Sequence, residues 1–380
     1  METITRVFGS SGAWLLTPLG FIFVLTIVVF FHELGHFLVA RWCGVTVKAF
    51  SIGFGPEIFG FTDKKGTRWR LCWIPLGGYV KFVDDDDVTS SSGKTLKRLT
   101  NEQRKGSFRD KPVGARAAVV AAGPIANFLL AVAIFTFIFS VFGQQITSAK
   151  VDSIGPGSPA ERAGFQPGDL ILSIDGELIE SFSDMQRIVS ASPNQALNFV
   201  VKRGDQTVNL VATPEFKEFT DNFGNKMRIG LLGIQRSASP EEWTVKRHNP
   251  VEAFVAGVKE CYFIVSRSIS YLYGIASGRE AADQLGGPIR IAQLSGQVAT
   301  VGFIPLLNFA AIISVSIGLL NLFPIPMLDG GHLLFYGIEA IRGKPLSEYT
   351  QEIGFRIGLA FVLMLMIFAT WNDLIHMMFS

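Results

Sequence analysis

The sequence predicts a polytopic α-helical membrane protein: four transmembrane helices, a membrane-associated β-hairpin on the cytoplasmic side and one small α+β domain on the other. The chain of 380 residues contains 48% hydrophobic and only 17% charged residues, whereas a soluble domain carries roughly 25% charge. The deficit is concentrated in four apolar stretches, each close to the ~20 residues that a spanning helix requires. The segments between them carry ordinary charge and turn residues, which indicates folded parts outside the bilayer.

The predicted spans are residues 19–40, 117–142, 303–323 and 353–371. We interpret the first as a retained helix, because no small-residue cleavage pattern follows it. A fifth apolar stretch, 251–273, contains Glu252, Lys259 and Arg267. Charges at these positions favour an amphipathic helix on the membrane surface rather than another span.

Basic residues near the helix ends predict the orientation of the spans. They are concentrated in the loops between spans one and two and between spans three and four: Arg41, Lys48, Arg109, Lys111, Arg116, Arg342 and Lys344. The N-terminal tail holds only Arg6, and the C-terminal tail holds no Lys or Arg. Both basic loops are therefore expected in the cytoplasm, with both termini on the other side.

The loop between spans one and two contains a predicted hairpin at residues 68–83. Apolar runs lie on both sides of the turn signal Pro75-Leu-Gly-Gly78, a pattern typical of two paired strands. The acidic run Asp84–Asp87 that follows is interpreted as a solvated loop.

Residues 148–214 are predicted to form one α+β domain. Short strand-like runs alternate with turn signals, and Asp175-Gly176 is a strong hairpin signal. The predicted organisation is a first membrane half (1–147), this domain (148–214), a connector with the amphipathic helix (215–302) and a second membrane half (303–380).

A candidate metal site lies inside the first span, in His32-Glu33-Leu-Gly-His36. Residues at i and i+4 share one helix face, so two imidazoles can bind one metal ion. The HExxH pattern is typical of zinc proteases, in which the Glu is the general base. Ionisable groups within a membrane are costly and are functional by default.

Catalytic zinc generally has three protein ligands, so a third must come from elsewhere. Asp329 lies near the cytoplasmic end of the third span, in Pro324-Ile-Pro-Met-Leu-Asp-Gly-Gly-His332. Pro324 and Pro326 interrupt the helix there, which membranes tolerate where the backbone lines a cavity or is buried. Asp329 is the favoured ligand, and His332 remains a competing one.

Other classes of site and function receive less support. Cys43, Cys72 and Cys261 are odd in number and far apart, which argues against a disulfide framework or a cysteine zinc site. The net charge of +2 gives no indication of nucleic-acid binding. A metal-ion transporter would share the intramembrane His and Asp residues, and an inactive scaffold would share the α+β domain.

The chain resembles the site-2 protease family, in its bacterial regulator-of-sigma-E type. The motifs follow the family's order: His32–His36 in span one, Gly123-Pro-Ile-Ala-Asn127 in span two and Asn321–Asp329 in span three and at its end. Segments 75–81 and 286–289 also resemble it. The resemblance implies that His32, His36 and Asp329 bind Zn2+, that Glu33 is the catalytic base, and that Asn321 and Asn127 line the site.

The resemblance also implies the surroundings of the site. The segment around Gly77 and Gly78 would offer a strand edge to an unwound substrate, and Pro324 and Pro326 would line the site. The domain at 148–214 is similar to a PDZ domain, carried by Ser158–Gly164 and Gly168–Gly176. Only one such domain is found, where the best-known relatives have two in tandem.

The implied activity is cleavage of single-span membrane proteins, such as anti-sigma factors, after another protease has removed their outer domain. Remnant signal peptides are a further implied substrate. The implied location is the bacterial inner membrane, with both termini in the periplasm and the active site toward the cytoplasm.

Overall fold

The computed structural model describes residues 2–84, 104–220, 226–237, 244–277 and 286–379. The chain divides into two compact units. One unit comprises residues 1–136 and 253–379, and the other comprises residues 137–252. Most of the acidic run at 84–87 lies outside the described residues, but Asp84 is buried and accepts hydrogen bonds from Ser107 Oγ and the Arg109 amide, both at 2.9 Å.

The first unit is built mainly from helices. They are α1 (Glu2–Trp42), α2 (Val113–Val141, whose last turn belongs to the second unit), α5 (Pro250–Ala276, whose first residues do too), α6 (Pro288–Val301), α7 (Phe303–Leu322), α8 (Asp329–Arg342) and α9 (Glu348–Phe379). Among the described residues, four segments are long and apolar enough to cross a membrane: Leu16–Trp42, Val113–Val141, Phe303–Leu322 and Glu348–Ile375. They overlap the four predicted spans, although most of their ends differ by a few residues. Helices α6 and α8 were not predicted, because both lie in regions that the sequence pattern indicates only as connecting segments.

Small residues allow the helices around α2 to approach closely. A Cβ on Gly35 of α1 would lie 2.3 Å from the Ala122 carbonyl oxygen, and one on Gly318 of α7 would lie 3.1 Å from the Pro124 oxygen. Ser314 Oγ of α7 donates to the Asn127 carbonyl oxygen at 2.9 Å. Close packing of small residues and interhelical hydrogen bonds are the main sources of helix association in bilayers.

The β-element between α1 and α2 differs from the predicted hairpin. Strand β1 (Val47–Thr62) pairs with β2 (Arg68–Phe82), and the tight turn lies at residues 63–66 rather than at Pro75–Gly78. The prediction was wrong because residues 75–78 bend within one long strand. Gly77, with φ of 111°, accommodates that bend.

Both strands bend, and the ladder consequently has four segments. Residues 47–52 pair with 78–82 on one side and, from Ala49, with 68–71 on the other. Residues 57–62 pair with the edge of 68–72 that does not face residues 49–52. The segment 78–82 is therefore an edge of this sheet, with β1 as its pairing partner among the described strands.

The β-element is anchored to α1 by an aromatic cluster. Phe50 is fully buried and contacts the rings of Phe37 and Trp69, with centroid separations of 5.4 and 4.4 Å. Phe37 and Ala40 of α1 belong to the same core as Val119 of α2. This core fixes the β-element beside the C-terminal half of α1.

The second unit contains a four-stranded sheet and several short strand pairs. The sheet has the order β6–β5–β7–β8, formed by β5 (Leu170–Ile174), β6 (Glu177–Leu178), β7 (Leu197–Arg203) and β8 (Gln206–Ala212). The other elements are β3 (Gln144–Ile146), β4 (Ser153–Ile154), α3 (Pro159–Arg162), α4 (Phe182–Ala191), β9 (Glu215–Thr220), β10 (Lys226–Leu231), β11 (Ile234–Gln235) and β12 (Thr244–Lys246).

The core of this unit includes Phe199, Val201 and Ile171, which are at most 1% exposed. Ser181 and Asp184 form a reciprocal capping box at the start of α4. Asp169 is buried and accepts hydrogen bonds from the Arg203 guanidinium at 2.8 Å. Burial raises the pKa of Asp169, but the hydrogen bonds from Arg203 and the Gln166 amide outweigh it, and the net shift is downward.

Candidate metal centre

Helix α1 presents His32 and His36 on one face, as the i, i+4 spacing predicts. Their ring centroids are 4.8 Å apart, and their Nε2 atoms are 3.2 Å apart. Both side chains are about one-eighth exposed, at 13%. The two Nε2 atoms therefore point to one position beside α1. This helix is long and apolar enough to span a bilayer.

Asp329 joins the two histidines from the first turn of α8. Its Oδ2 lies 3.3 Å from His32 Nε2, and its Oδ1 lies 3.6 Å from His36 Nε2. Ligand atoms from these three residues lie within 4.8 Å of one another, and no other such group was found among the described residues.

The donor set fits zinc. Two imidazoles and a carboxylate are ligands that zinc accepts. Bond lengths of about 2.0–2.1 Å place neighbouring ligands of a tetrahedral zinc ion about 3.3 Å apart, and the distances between the donor atoms here are 3.2, 3.3 and 3.6 Å. Three protein donors leave one tetrahedral position open, as catalytic sites do.

A tight turn between α7 and α8 brings Asp329 to this position. The Ile325 amide donates to the Phe323 carbonyl oxygen at 2.7 Å, and the Leu328 amide donates to the Ile325 oxygen at 3.0 Å. Gly331 packs so closely on this turn that a Cβ would lie 2.4 Å from the Ile325 oxygen. The chain can fold back this tightly only because residues 330 and 331 have no side chain.

His332, the competing ligand, points elsewhere. Its ring lies 5.2 Å from that of Phe355 and 6.4 Å from that of Tyr336. It is not a member of the group formed by His32, His36 and Asp329. Of the two candidates on α8, the geometry favours Asp329.

Residues of helix α2 contact the Nδ1 atoms of both imidazoles. His36 Nδ1 lies 2.9 Å from the Val119 carbonyl oxygen, and His32 Nδ1 lies 3.3 Å from Asn127 Nδ2. Gly123 lies between these contacts, where a Cβ would be 2.3 Å from His36 Nε2. Contacts of this kind orient histidine ligands in metal sites.

Glu33 lies between the metal centre and the β-element. It follows His32 on α1, and a Cβ on Gly78 would lie 2.9 Å from Glu33 Cγ. Gly78 begins the edge segment 78–82, so this edge passes directly beside the Glu33 side chain. Gly77 packs instead under the ring of Phe54, where a Cβ would be 2.5 Å from Cε2.

The remaining predicted site residues are less closely connected to the cluster. Asn321 is half-buried near the end of α7 and forms no hydrogen bond to the cluster among the described residues. Pro324 and Pro326 lie in the turn before Asp329. The Pro326 carbonyl oxygen packs against α9, where a Cβ on Gly358 would lie 1.9 Å from it.

Two ion pairs that the sequence does not predict connect the elements around the candidate metal centre. Arg41, at the end of α1, forms an ion pair with Asp63 in the turn of the β-element. Arg116 of α2 forms one with Glu339 of α8 at 2.5 Å. No sequence signal identifies them, because the partners are distant along the chain and each side chain alone resembles a surface charge.

The Asp63 carboxylate is held in its charged form. Burial raises its pKa, but hydrogen bonds from the Trp69 indole and the Thr67 amide, together with those from Arg41 and the Lys65 amide, outweigh burial and lower the pKa to about 2. The turn therefore carries a full negative charge for Arg41 at neutral pH.

Comparisons with known proteins identify the family of the chain. Residues 20–365 match the model of peptidase family M50. A "putative zinc metalloprotease" of Rhizobium meliloti is 49% identical over 93% of this chain and 95% of its own. Metalloprotease MmpA of Caulobacter vibrioides is 39% identical over 95% and 96%.

A solved PDZ domain of the SdrC-like protein from Listeria monocytogenes matches 22% of the chain and 82% of its own, at 22% identity and a TM-score of 0.18. A score this low carries no argument about the fold. The PDZ assignment therefore rests on the sequence.

The family model spans most of the chain, and the relatives match it over nearly their full length. The chain therefore belongs to peptidase family M50, the site-2 protease family, and is a zinc metalloprotease of the membrane.

Proposed function

We propose that this enzyme cleaves single-span membrane proteins within the bilayer, using His32, His36 and Asp329 to hold zinc and Glu33 as the base. One observation carries the proposal: donor atoms of those three residues lie within 4.8 Å of one another. The two histidines and Glu33 belong to a helix that is apolar enough to span the membrane. A metal centre at this depth suits a substrate that is itself in the membrane.

Bound zinc would polarise a peptide carbonyl and lower the pKa of water at the open position. The protein supplies the proton transfers. Glu33 accepts a proton from the attacking water and passes it to the leaving amine nitrogen. Its place next to His32 in the chain keeps it beside the metal position without a separate loop.

A substrate helix must open before it is cut, because its carbonyls are hydrogen-bonded within the helix. The edge segment 78–82 provides main-chain partners for the opened strand by β-addition. It suits this role because it pairs with β1 on one side only among the described strands, and because Gly78 places it against Glu33. This mode needs little side-chain recognition, so helix-weakening residues near the cut matter more than a sequence motif.

Anti-sigma factors and similar membrane regulators are the proposed substrates, after a first cleavage has removed their periplasmic domain; remnant signal peptides are a second group. The domain at 148–214 is proposed to act as a PDZ-type filter that excludes substrates with a bulky outer domain. The proposed location is the bacterial inner membrane, with periplasmic termini and the metal centre toward the cytoplasm, as the basic loops predict.

The test is cleavage of a tagged single-span substrate by the purified full-length protein, with zinc content measured in parallel. We expect Glu33→Gln to abolish cleavage and retain zinc, and His32→Ala to lose both. Glu177→Gln changes an exposed glutamate of the second unit and should behave like the wild type.

Other outcomes identify the competing functions. Cleavage by Glu33→Gln at the wild-type rate would remove Glu33 from the mechanism. Transport of metal into vesicles without peptide cleavage would favour a transporter. Full biological activity of Glu33→Gln would favour a scaffold that acts without catalysis.

A further inference from the structure

Asn127 is the most deeply buried polar side chain at the metal centre. It is 0% exposed, and its Nδ2 lies 3.3 Å from His32 Nδ1. Its Oδ1 is also buried and has no hydrogen-bond partner in the part of the chain that the structure describes. A buried carbonyl oxygen without a hydrogen-bond partner destabilises a fold, so the unpaired Oδ1 beside a histidine requires an explanation.

The tautomer of His32 supplies the explanation. A neutral imidazole that binds a metal through Nε2 carries its proton on Nδ1, which makes Nδ1 a donor. The amide nitrogen of Asn127 is also a donor, so the contact between Nδ2 and Nδ1 cannot persist in that tautomer. The oxygen and nitrogen of a carboxamide are nearly indistinguishable in shape. A half-turn of the Asn127 carboxamide lets Oδ1 accept a hydrogen bond from the Nδ1 proton, so that this oxygen is no longer unpaired.

His36 provides the comparison within the same site. Its Nδ1 lies 2.9 Å from the Val119 carbonyl oxygen, an atom that can only accept. That contact already fixes the tautomer with Nε2 free for a metal. Helix α2 therefore offers an oxygen acceptor to His36, and the turned amide of Asn127 offers the equivalent acceptor to His32.

We propose that Asn127 is a positioning residue for zinc binding, whose Oδ1 accepts a hydrogen bond from the Nδ1 proton of His32 and holds Nε2 toward the metal. This inference rests on the proposed function, in which His32 is a zinc ligand. The turned amide leaves Nδ2 without a partner among the described residues. A carboxylate at position 127 would keep an oxygen acceptor for the Nδ1 proton of His32, with its second oxygen at the position that has no partner among the described residues.

The test compares zinc affinity, by chelator competition, in the full-length protein and its variants. Asn127→Leu removes the acceptor at similar size, and we expect affinity to fall about 10–100-fold, as it does when such partners are lost. Asn127→Asp keeps an oxygen acceptor and should bind zinc at least as tightly as the wild type. Ser314→Ala removes the bond to the Asn127 backbone without changing the amide and should bind normally.

The zinc affinity of Asn127→Asp shows whether the side chain at position 127 acts as a hydrogen-bond acceptor or as a donor. If Nδ2 were the functional atom, Asn127→Asp would bind zinc as weakly as Asn127→Leu, and the proposal would be overturned; unchanged affinity in Asn127→Leu would overturn it as well. Should Asn127→Leu fail to fold, the affinity of Asn127→Asp decides alone: wild-type or tighter zinc binding supports the proposal, and weaker binding overturns it. Failure of the proposed function looks different, since His32→Ala would then bind zinc as tightly as the wild type.

Discussion

Gly123 of α2 lies against the imidazole of His36 so closely that a Cβ there would be 2.3 Å from Nε2. The same Cβ would lie 2.9 Å from His32 Cε1. Contacts below about 3 Å between such atoms are not tolerated without movement, because protein interiors are closely packed. The backbone of α2 thus forms one wall of the metal centre, and it can do so only where a side chain is absent.

Gly123→Ala is therefore expected to weaken zinc binding. The added methyl group must displace the His36 imidazole from its present position, and displacement of a proposed ligand should cost at least about 10-fold in affinity. Gly114→Ala on the same helix is the matched control, because a Cβ at residue 114 meets nothing within 4 Å. Equal zinc affinity of the two variants, measured with a chelator, would contradict this view of the site.

Gly78→Ala should reduce cleavage while zinc remains bound. Its Cβ would lie 2.7 Å from the Ser51 oxygen and 2.9 Å from Glu33 Cγ. The methyl group therefore separates the edge segment from Glu33, the proposed base, and the three atoms nearest to it do not belong to the proposed metal ligands. Misplacement by 1 Å can cost about 100-fold in rate. Gly337→Ala, in open space on α8, is the control. Loss of zinc along with activity would show instead that the β-element supports the metal centre.

Local patterns explain why the sequence predicts much of the candidate site. The spacing of His32 and His36 defines one helix face, and the four spans follow from length and apolar composition alone. Asp329 was favoured because the predicted topology places it at the end of the helix nearest His36. These inferences depend on short segments or on the order of spans, both of which the sequence carries directly.

Contacts between distant segments were not predictable in the same way. Pairing between β1 and β2 was missed because bends at Gly53, Gly55 and Gly77, each with positive φ, interrupt the alternation that normally identifies strands. The Val119 carbonyl beside His36 is a backbone atom, and every residue has one. Only the folded packing of α2 on α1 selects it.

The ion pair of Asp63 with Arg41 should contribute stability that depends on pH. The pKa of Asp63 is lowered to about 2, below the roughly 3.9 of an unfolded chain. A lowered pKa stabilises the fold above the unfolded value, and this stability is lost as the pH falls from about 4 to about 2. Asp63→Asn should therefore lower the melting temperature at pH 7, and the difference from wild type should shrink between pH 4 and pH 2.

The melting temperatures of wild type and Asp63→Asn in the same detergent, measured between pH 2 and pH 7, check this expectation. Lys64→Gln, in the same turn, is a suitable control because it leaves the Asp63 carboxylate intact. A difference that stays constant over the whole range would show that the carboxylate charge does not stabilise the turn.

The ion pair between Arg116 and Glu339 should hold α8, and with it Asp329, in place. The two side chains are only 14% and 12% exposed, and the Arg116 guanidinium also lies 4.9 Å from the Tyr336 ring centroid. Removing one member leaves a charge with little access to water, which costs about 3 kcal/mol or more for buried pairs. Arg116→Met should therefore lower stability markedly and weaken zinc binding, since α8 begins with Asp329.

A double-mutant cycle separates the ion pair from the loss of either side chain. Adding Glu339→Met to Arg116→Met removes the unpaired charge, and we expect much of the stability to return, as for other buried pairs replaced by apolar residues. The exposed pair of Arg356 and Glu352, with exposures of 77% and 60%, is the control, and Glu352→Gln should change stability by less than about 1 kcal/mol. If the double variant regains stability but not zinc affinity, the charge pair positions α8 for the metal centre; if it regains both, apolar packing at this contact is sufficient to place Asp329.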